Sequence, residues 1–177
     1  MQNVLKGESI YLRAPEMEDL ETLYAWENNP VIWELSNTLA PFSKQVLRQY
    51  LQSAHQDLFT NKQVRFMICN LQNEAIGSID LFEFEPFHLR VGVGILIASE
   101  QNRKKGYASE ALDVIKKYCF SVLHLNQLYC NINRDNEASI LLFQKQGFVV
   151  SGTKLKWNKT ATGYKDEFFL QCFNPKA

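Results

Sequence analysis

The sequence predicts an α/β (α+β) layered domain with a mixed sheet, and three observations carry that expectation. The apolar period switches along the chain between alternation, which marks strands, and three-to-four spacing, which marks helices. The resulting order is strand, two helices, three strands, helix, strand, helix, two strands, an interleaving that lays helices against a sheet. No repeat, low-complexity stretch or Pro/Gly/Ser-rich linker divides the chain, so residues 1–177 read as one domain.

The first strand is "SIYLRAP", stopped by Pro15. "EMEDLETLYAWENN" puts acids in its first turn and Leu20, Leu23, Tyr24 and Trp26 at helical spacing, and is expected to end before Pro30. In "PFSKQVLRQYLQSAHQDLF", Ser43 is the expected N-cap of a helix carrying Val46, Leu47, Tyr50, Leu51, Ala54 and Leu58. "VRFMICNL", "EAIGSIDLFEFE" and "LRVGVGILIA" read as strands, with hairpin chemistry in "NLQNEA". Ala108, Ala111, Leu112, Ile115, Tyr118, Cys119 and Val122 then share one helical face. "QLYCNIN" is a strand, and "EASILLFQKQ" is a short helix closed by Gly147 as its C′ residue. "FVVSGTKLKW" and "YKDEFFLQCF" are strands around the turn-rich "NKTATG".

The 19 Lys and Arg balance the 19 Asp and Glu, which argues against a general nucleic-acid or polyanion binder. The start of the chain lacks a signal pattern and no apolar run is long enough for a membrane span, so the cytoplasm is the expected location. Cys69, Cys119, Cys130 and Cys172 form no C-x-x-C pair, and His55, His88 and His124 do not cluster near them. Buried reduced thiols are expected, and no metal.

"EQNRKKGYASEAL" sets three cations, Arg103, Lys104 and Lys105, just before Gly106 and a helix start. A helix N-terminus carries roughly half a positive charge, so each cation there is unfavourable by about 0.3–1 kcal/mol. An anion at that end would reverse the balance. The amides from Lys104 to Ala108 can form an anion nest, and Gly106 lets the backbone approach a ligand. Neither G-x-x-x-x-G-K-[ST] nor G-x-G-x-x-G is present, so a diphosphate with no required metal fits better, with coenzyme A the leading candidate. An exposed basic loop capping an amphipathic helix accounts for the stretch equally well.

"RKKGYA", Arg103 to Ala108, resembles the R/Q-x-x-G-x-G/A signature of the GCN5-related N-acetyltransferase (GNAT) superfamily. "IYLRAPEMEDLETLYAWENNPVI", "AIGSIDL" and "NRDNEASILLFQKQGFVVSGT" are similar, in order, to the opening, third strand and later motif of one branch. That branch holds spermidine/diamine and ribosomal-protein N-acetyltransferases. The resemblance spans nearly the whole chain. It implies a GNAT fold: a mixed, mostly antiparallel sheet of six to seven strands, splayed between strands 4 and 5, with about four helices. It implies acetyl-CoA as co-substrate and direct transfer to an amine without a covalent enzyme intermediate. Backbone groups of Ile95, Leu96 and Ile97 would hold the pantetheine arm. Arg103, Lys104, Lys105, Gly106, Tyr107, Ala108 and Ser109 would hold the diphosphate. Asn136, Ser139 and Phe143 occupy further cofactor-contact places, and a homodimer through the carboxy-terminal strands is implied as well.

Two residues depart from the family pattern. Phe143 stands where many members carry a Tyr to protonate the leaving thiolate, and Gly92 where many carry a Glu base. "LFEFEPFH" alternates, so Glu83 and Glu85 are expected on one face as an acidic wall for a cationic amine. Glu83, Glu85 or His88 would relay its proton; a solvated strand end is the plainer alternative. Tyr107 and Tyr129 are expected to pack with solvated or locally bonded hydroxyls, a hydroxyl that reaches the sulfur being the alternative. Glu27 and Glu34 flank "NNPVIW", a loop that the resemblance implies lies near the acceptor site, where Trp33 and Phe42 either serve as lining or pack in the core. The expected activity is acetyl transfer from acetyl-CoA to a primary amine, such as a polyamine or other small amine. A protein N-terminus as acceptor, and a non-catalytic acyl-CoA-binding module, are the alternatives.

Overall fold

The expected strands all form, and they join into one sheet. A computed structural model of the chain describes residues 4–36, 38–54 and 57–176. The strands are β1 (Ile10–Arg13), β2 (Val64–Asn70), β3 (Ala75–Glu85), β4 (Arg90–Ile97), β5 (Gln127–Asn133), β6 (Val149–Thr160) and β7 (Gly163–Phe173). They lie in the order β1-β2-β3-β4-β5-β7-β6. Every neighbouring pair is antiparallel except β4 and β5, which run parallel.

The described residues form six α-helices where about four are expected: α1 (Leu20–Glu27), α2 (Pro30–Ser36), α3 (Lys44–Ser53), α4 (Leu58–Asn61), α5 (Tyr107–Ser121) and α6 (Glu137–Lys145). The extra ones have local causes. "NNPVIW" is the start of α2 rather than a loop, because Pro30 sits at its first position, where a missing N–H costs nothing. The Asn29 side chain accepts the Val31 N–H at 3.0 Å and caps that start. Ser43 caps α3 as expected, accepting the Val46 N–H at 3.2 Å. Leu58 belongs not to α3 but to α4, which has its own cap, Asp57. His55 lies outside the described residues.

The sheet is covered on both faces, which makes β2 a continuous buried run from Phe66 to Asn70. Phe66 and Ile68 join Ile79, Leu81, Val91, Val93, Leu128 and Cys130 under Ala111, Leu112 and Ile115 of α5. Met67 and Cys69 face the other way, against Leu23 of α1 and Leu51 of α3. On α5, Val114 is buried, while Val122 is the helix's C-cap and is exposed. Gly147 follows α6 at φ 87°, the left-handed C′ position expected of it. The four cysteines are buried and unpaired, and burial pushes the Cys130 thiol up to about 12. No helix among the described residues is long and apolar enough to cross a membrane.

Candidate active site

The parallel pair β4–β5 positions the site. It shares only the rungs Arg90–Gln127, Val91–Leu128 and Gly92–Tyr129. Beyond them the strands part, and the sheet opens as a V at the place expected. Because α5 follows β4 and α6 follows β5, both helix N-termini stand at the mouth of that V.

The β4 edge of the V is polar backbone. The Ala98 N–H donates to Ile76 O on the β3 side, so strand alternation turns the N–H and C=O of Ile95 and Ile97 toward the opening. At the mouth, Lys104 (φ 60°) and Gly106 (φ 85°) both adopt left-handed conformations and wind the loop into the first turn of α5. A Cβ on Gly106 would meet nothing within 4 Å, so its backbone is open to an approaching ligand. Arg103, Lys104 and Lys105 are exposed, and Arg103 Nε reaches Ile97 O at 3.4 Å. Tyr107 and Ala108 are half-buried, and the Ser109 hydroxyl accepts from Gln146 at 2.7 Å. Across the V, Asn136 caps α6 by accepting the Ser139 N–H at 3.2 Å. Phe143 lies deeper, 3% exposed and edge-on to Phe148 in the core.

At the apex, Phe82 of β3 crosses Gly92. Tyr129, the partner of Gly92 on β5, packs between Phe82 (ring centroids 6.0 Å apart) and Phe169 (5.4 Å). A bulge between Phe82 and Glu85 breaks the alternation that would have set Glu83 and Glu85 on one face. Glu83 takes φ 49° in that bulge, and its carboxylate accepts the Tyr129 hydroxyl at 2.6 Å. Burial, reinforced by the hydrogen bond to Glu83, holds Tyr129 above the ordinary tyrosine pKa. Glu85 pairs with Arg90 in register and accepts the Phe87 N–H at 3.3 Å. His88 is exposed at the hairpin tip beside Phe87. Glu85 and His88 therefore sit at the closed end of the V, and Glu83 is the candidate tethered to its apex.

Phe82 also lines a cavity of about 460 Å³ under α1 and α3, together with Glu27, Phe42, Tyr50, Arg65 and Asp80. Arg65 is the charged centre of this cavity. Its Nε lies 2.6 Å from Asp80 Oδ1, its Nη2 3.1 Å from Asp80 Oδ2, and its Nη1 pairs with Glu27. Burial opposes the Arg65 charge, but Asp80 and Glu27 outweigh it and raise its pKa. The sequence signal for Arg65 was a lone charge in the apolar strand "VRFMICNL". Trp33 donates its indole N–H to Glu27 O at 2.6 Å, and the Glu34 side chain lies outside the described residues. On the splayed half of β5, Lys154 bonds Asn131 (2.7 Å) and buried Glu167 (3.1 Å), and Asn158 bonds Asn133 (2.7 Å). Residues on three strands build that network, and no local pattern announces it.

Residues 9–149 match the family model for an acetyltransferase (GNAT) domain. The spermidine N(1)-acetyltransferase of Escherichia coli (strain K12) is 30% identical over 144 residues, covering 81% of this chain and 75% of that protein. The crystal structure of a spermidine N-acetyltransferase from Vibrio cholerae, in complex with CoA and spermine, superposes with a TM-score of 0.86 at 24% identity, covering 96% and 98% of the two chains. A dodecameric structure of the Vibrio cholerae enzyme in an intermediate state gives 0.79 at 23% identity, with 96% of each chain covered. These likenesses agree with the sheet that opens after three shared rungs: this chain belongs to the GNAT family of acetyltransferases, enzymes that take their acetyl group from acetyl-CoA.

Proposed function

We propose that the enzyme acetylates a primary amine of an aliphatic polyamine. The observation that carries this reading is the cavity beside the apex. Its size, about 460 Å³, suits a small molecule rather than a peptide chain. Glu27 and Asp80 outnumber the Arg65 they share, which leaves the cavity net negative, and Glu83 adds a carboxylate at the apex. The relatedness to a spermidine N(1)-acetyltransferase points the same way.

In this reading acetyl-CoA lies with its pantetheine arm along Ile95–Ile97. Its diphosphate is held by the α5 N-terminus with Arg103, Lys104, Lys105 and Gly106, and Asn136 and Ser139 face it from α6. Glu83 receives the proton of the incoming ammonium. A thiol-release assay with acetyl-CoA against polyamines, amino sugars, amino acids and short peptides tests the acceptor class. Turnover with polyamines is expected; turnover confined to another class would overturn the polyamine reading.

Self-association through β6 and β7 belongs to the same proposal. Leu155, Trp157 and Tyr164 are exposed there, on the edge hairpin of the sheet. Light scattering showing only a monomer at working concentration would refute it.

A further inference from the structure

Neither proton-handling group that the family resemblance leads one to expect is present. Gly92 has no side chain, and Phe143 has no hydroxyl and is buried in the core. The apex nevertheless holds a hydroxyl and a carboxylate in direct contact. Tyr129 occupies the last rung before the V opens, so its ring forms part of the floor of the splay. Phe82 and Phe169 clamp the ring from two sides, which fixes the direction of the hydroxyl. That hydroxyl donates to Glu83 at 2.6 Å. Glu83 is turned out of its strand by the bulge and is exposed, so an arriving amine can reach it. Tyr129 keeps its proton at neutral pH, because burial and Glu83 both favour the neutral phenol.

We propose that Tyr129 is the proton donor to the departing coenzyme A thiolate, and that the protonation state of Glu83 controls when it donates. The proposal rests on the amine-acceptor reading above. While Glu83 is ionised, it holds the phenolic hydrogen. The incoming ammonium gives one proton to Glu83, which then becomes a donor to the Tyr129 oxygen and releases the phenolic hydrogen toward sulfur. The amine lone pair forms the C–N bond at the thioester carbon. The C–S bond breaks and its electron pair goes to sulfur. Sulfur takes the phenolic proton as Glu83 passes its own to the Tyr129 oxygen, and a second proton leaves the nitrogen for solvent. Ammonium and acetyl-CoA thus become acetamide, coenzyme A thiol and one released proton. The relay couples deprotonation of the nucleophile to protonation of the leaving group.

Tyr129→Phe removes the hydroxyl and keeps the ring between Phe82 and Phe169. Steady-state thiol release with acetyl-CoA and a polyamine, beside calorimetric titration of coenzyme A, tests the relay. Tyr129→Phe is expected to lower kcat by roughly 10²- to 10⁴-fold while the coenzyme A dissociation constant stays within about twofold. Glu83→Gln, at an exposed position, is expected to lower kcat comparably while coenzyme A binding stays within about twofold. The double variant should lose no more than the worse single one, since the two groups act as a unit. Tyr129→Phe with kcat within about threefold of the parent, or additive losses in the double variant, would overturn the relay alone. A parent enzyme that binds coenzyme A but turns over no polyamine would overturn the acceptor reading and the relay with it.

Discussion

The ring of Phe82 lies directly over Gly92, so that a Cβ on Gly92 would stand 2.3 Å from the ring edge. The two residues are opposite each other on β3 and β4, and the aromatic ring fills the space that a side chain at position 92 would need. Gly92→Ala is therefore expected to destabilise the fold by about 1–3 kcal/mol through overpacking. Phe82→Leu in the same chain should recover part of that loss, because the substitutions share one space. Thermal melts of the two single variants and the double variant measure the coupling, and strictly additive losses would refute the contact. For the same reason, Gly92→Glu should impair folding rather than supply a base.

Gly106 poses a different constraint, since the space around it is open but its φ is 85°. Gly106→Ala should cost about 1–2 kcal/mol of stability through the left-handed backbone alone. Gly106→Asp should abolish measurable coenzyme A binding, by strain, bulk and a negative charge at the diphosphate. Unchanged affinity by calorimetric titration would sink the assignment of this loop to the diphosphate.

Arg103, Lys104 and Lys105 are exposed and form no ion pair among the described residues. Changing each to Gln should weaken coenzyme A binding by about two- to fivefold, the scale of exposed charge interactions. The gap between parent and variant should narrow as ionic strength rises and shortens the Debye length. A salt-independent difference would point to shape rather than charge.

Arg65 joins α1 to β3 through Glu27 and Asp80, with the ring of Tyr50 5.9 Å from its guanidinium. Arg65→Met keeps most of the side-chain volume and strands both carboxylates. The loss of charge-assisted hydrogen bonds should lower stability by about 1.5–3 kcal/mol. Chemical denaturation reads it directly, and a variant as stable as the parent would show that the cluster contributes nothing net to the fold.

Glu110, in the first turn of α5, accepts the Ser9 N–H at 2.8 Å and bonds the Ser9 hydroxyl as well. Burial raises its pKa, but the Ser9 bonds outweigh it and bring the group below its ordinary value of 4.5. A depressed folded-state pKa adds stability above the unfolded value, and that stability is lost as the pH falls through the folded one. Glu110→Gln should therefore lower the melting temperature at pH 7, and the gap should close below about pH 4.5. A pH-independent gap would mean that the charge of Glu110 is not what ties the amino-terminal segment to α5.

Element type was legible wherever its cause was local. Ser43, Gly147 and the apolar run in "VRFMICNL" act within a few residues, and those elements formed as expected. Pro30 is ambiguous for an equally local reason: it ends one helix and opens the next, whose start the Asn29 side chain caps. The alternation in "LFEFEPFH" was real, but the bulge at Glu83 shifted its register, so Glu83 and Glu85 acquired different partners.

The sequence by itself determined the order of the elements, the basic loop at the start of α5 and the family, because periodicity, capping and a contiguous motif are properties of neighbouring residues. Only the tertiary structure decided how far along the β4–β5 pair the sheet stays closed, since that depends on how many rungs two strands share when 29 residues of chain, 98–126, lie between them. It alone joined Tyr129 to Glu83, 46 positions away, and Arg65 to Glu27, 38 positions away. Those contacts arise from strand pairing and helix packing, and the residues that make them carry no shared pattern along the chain.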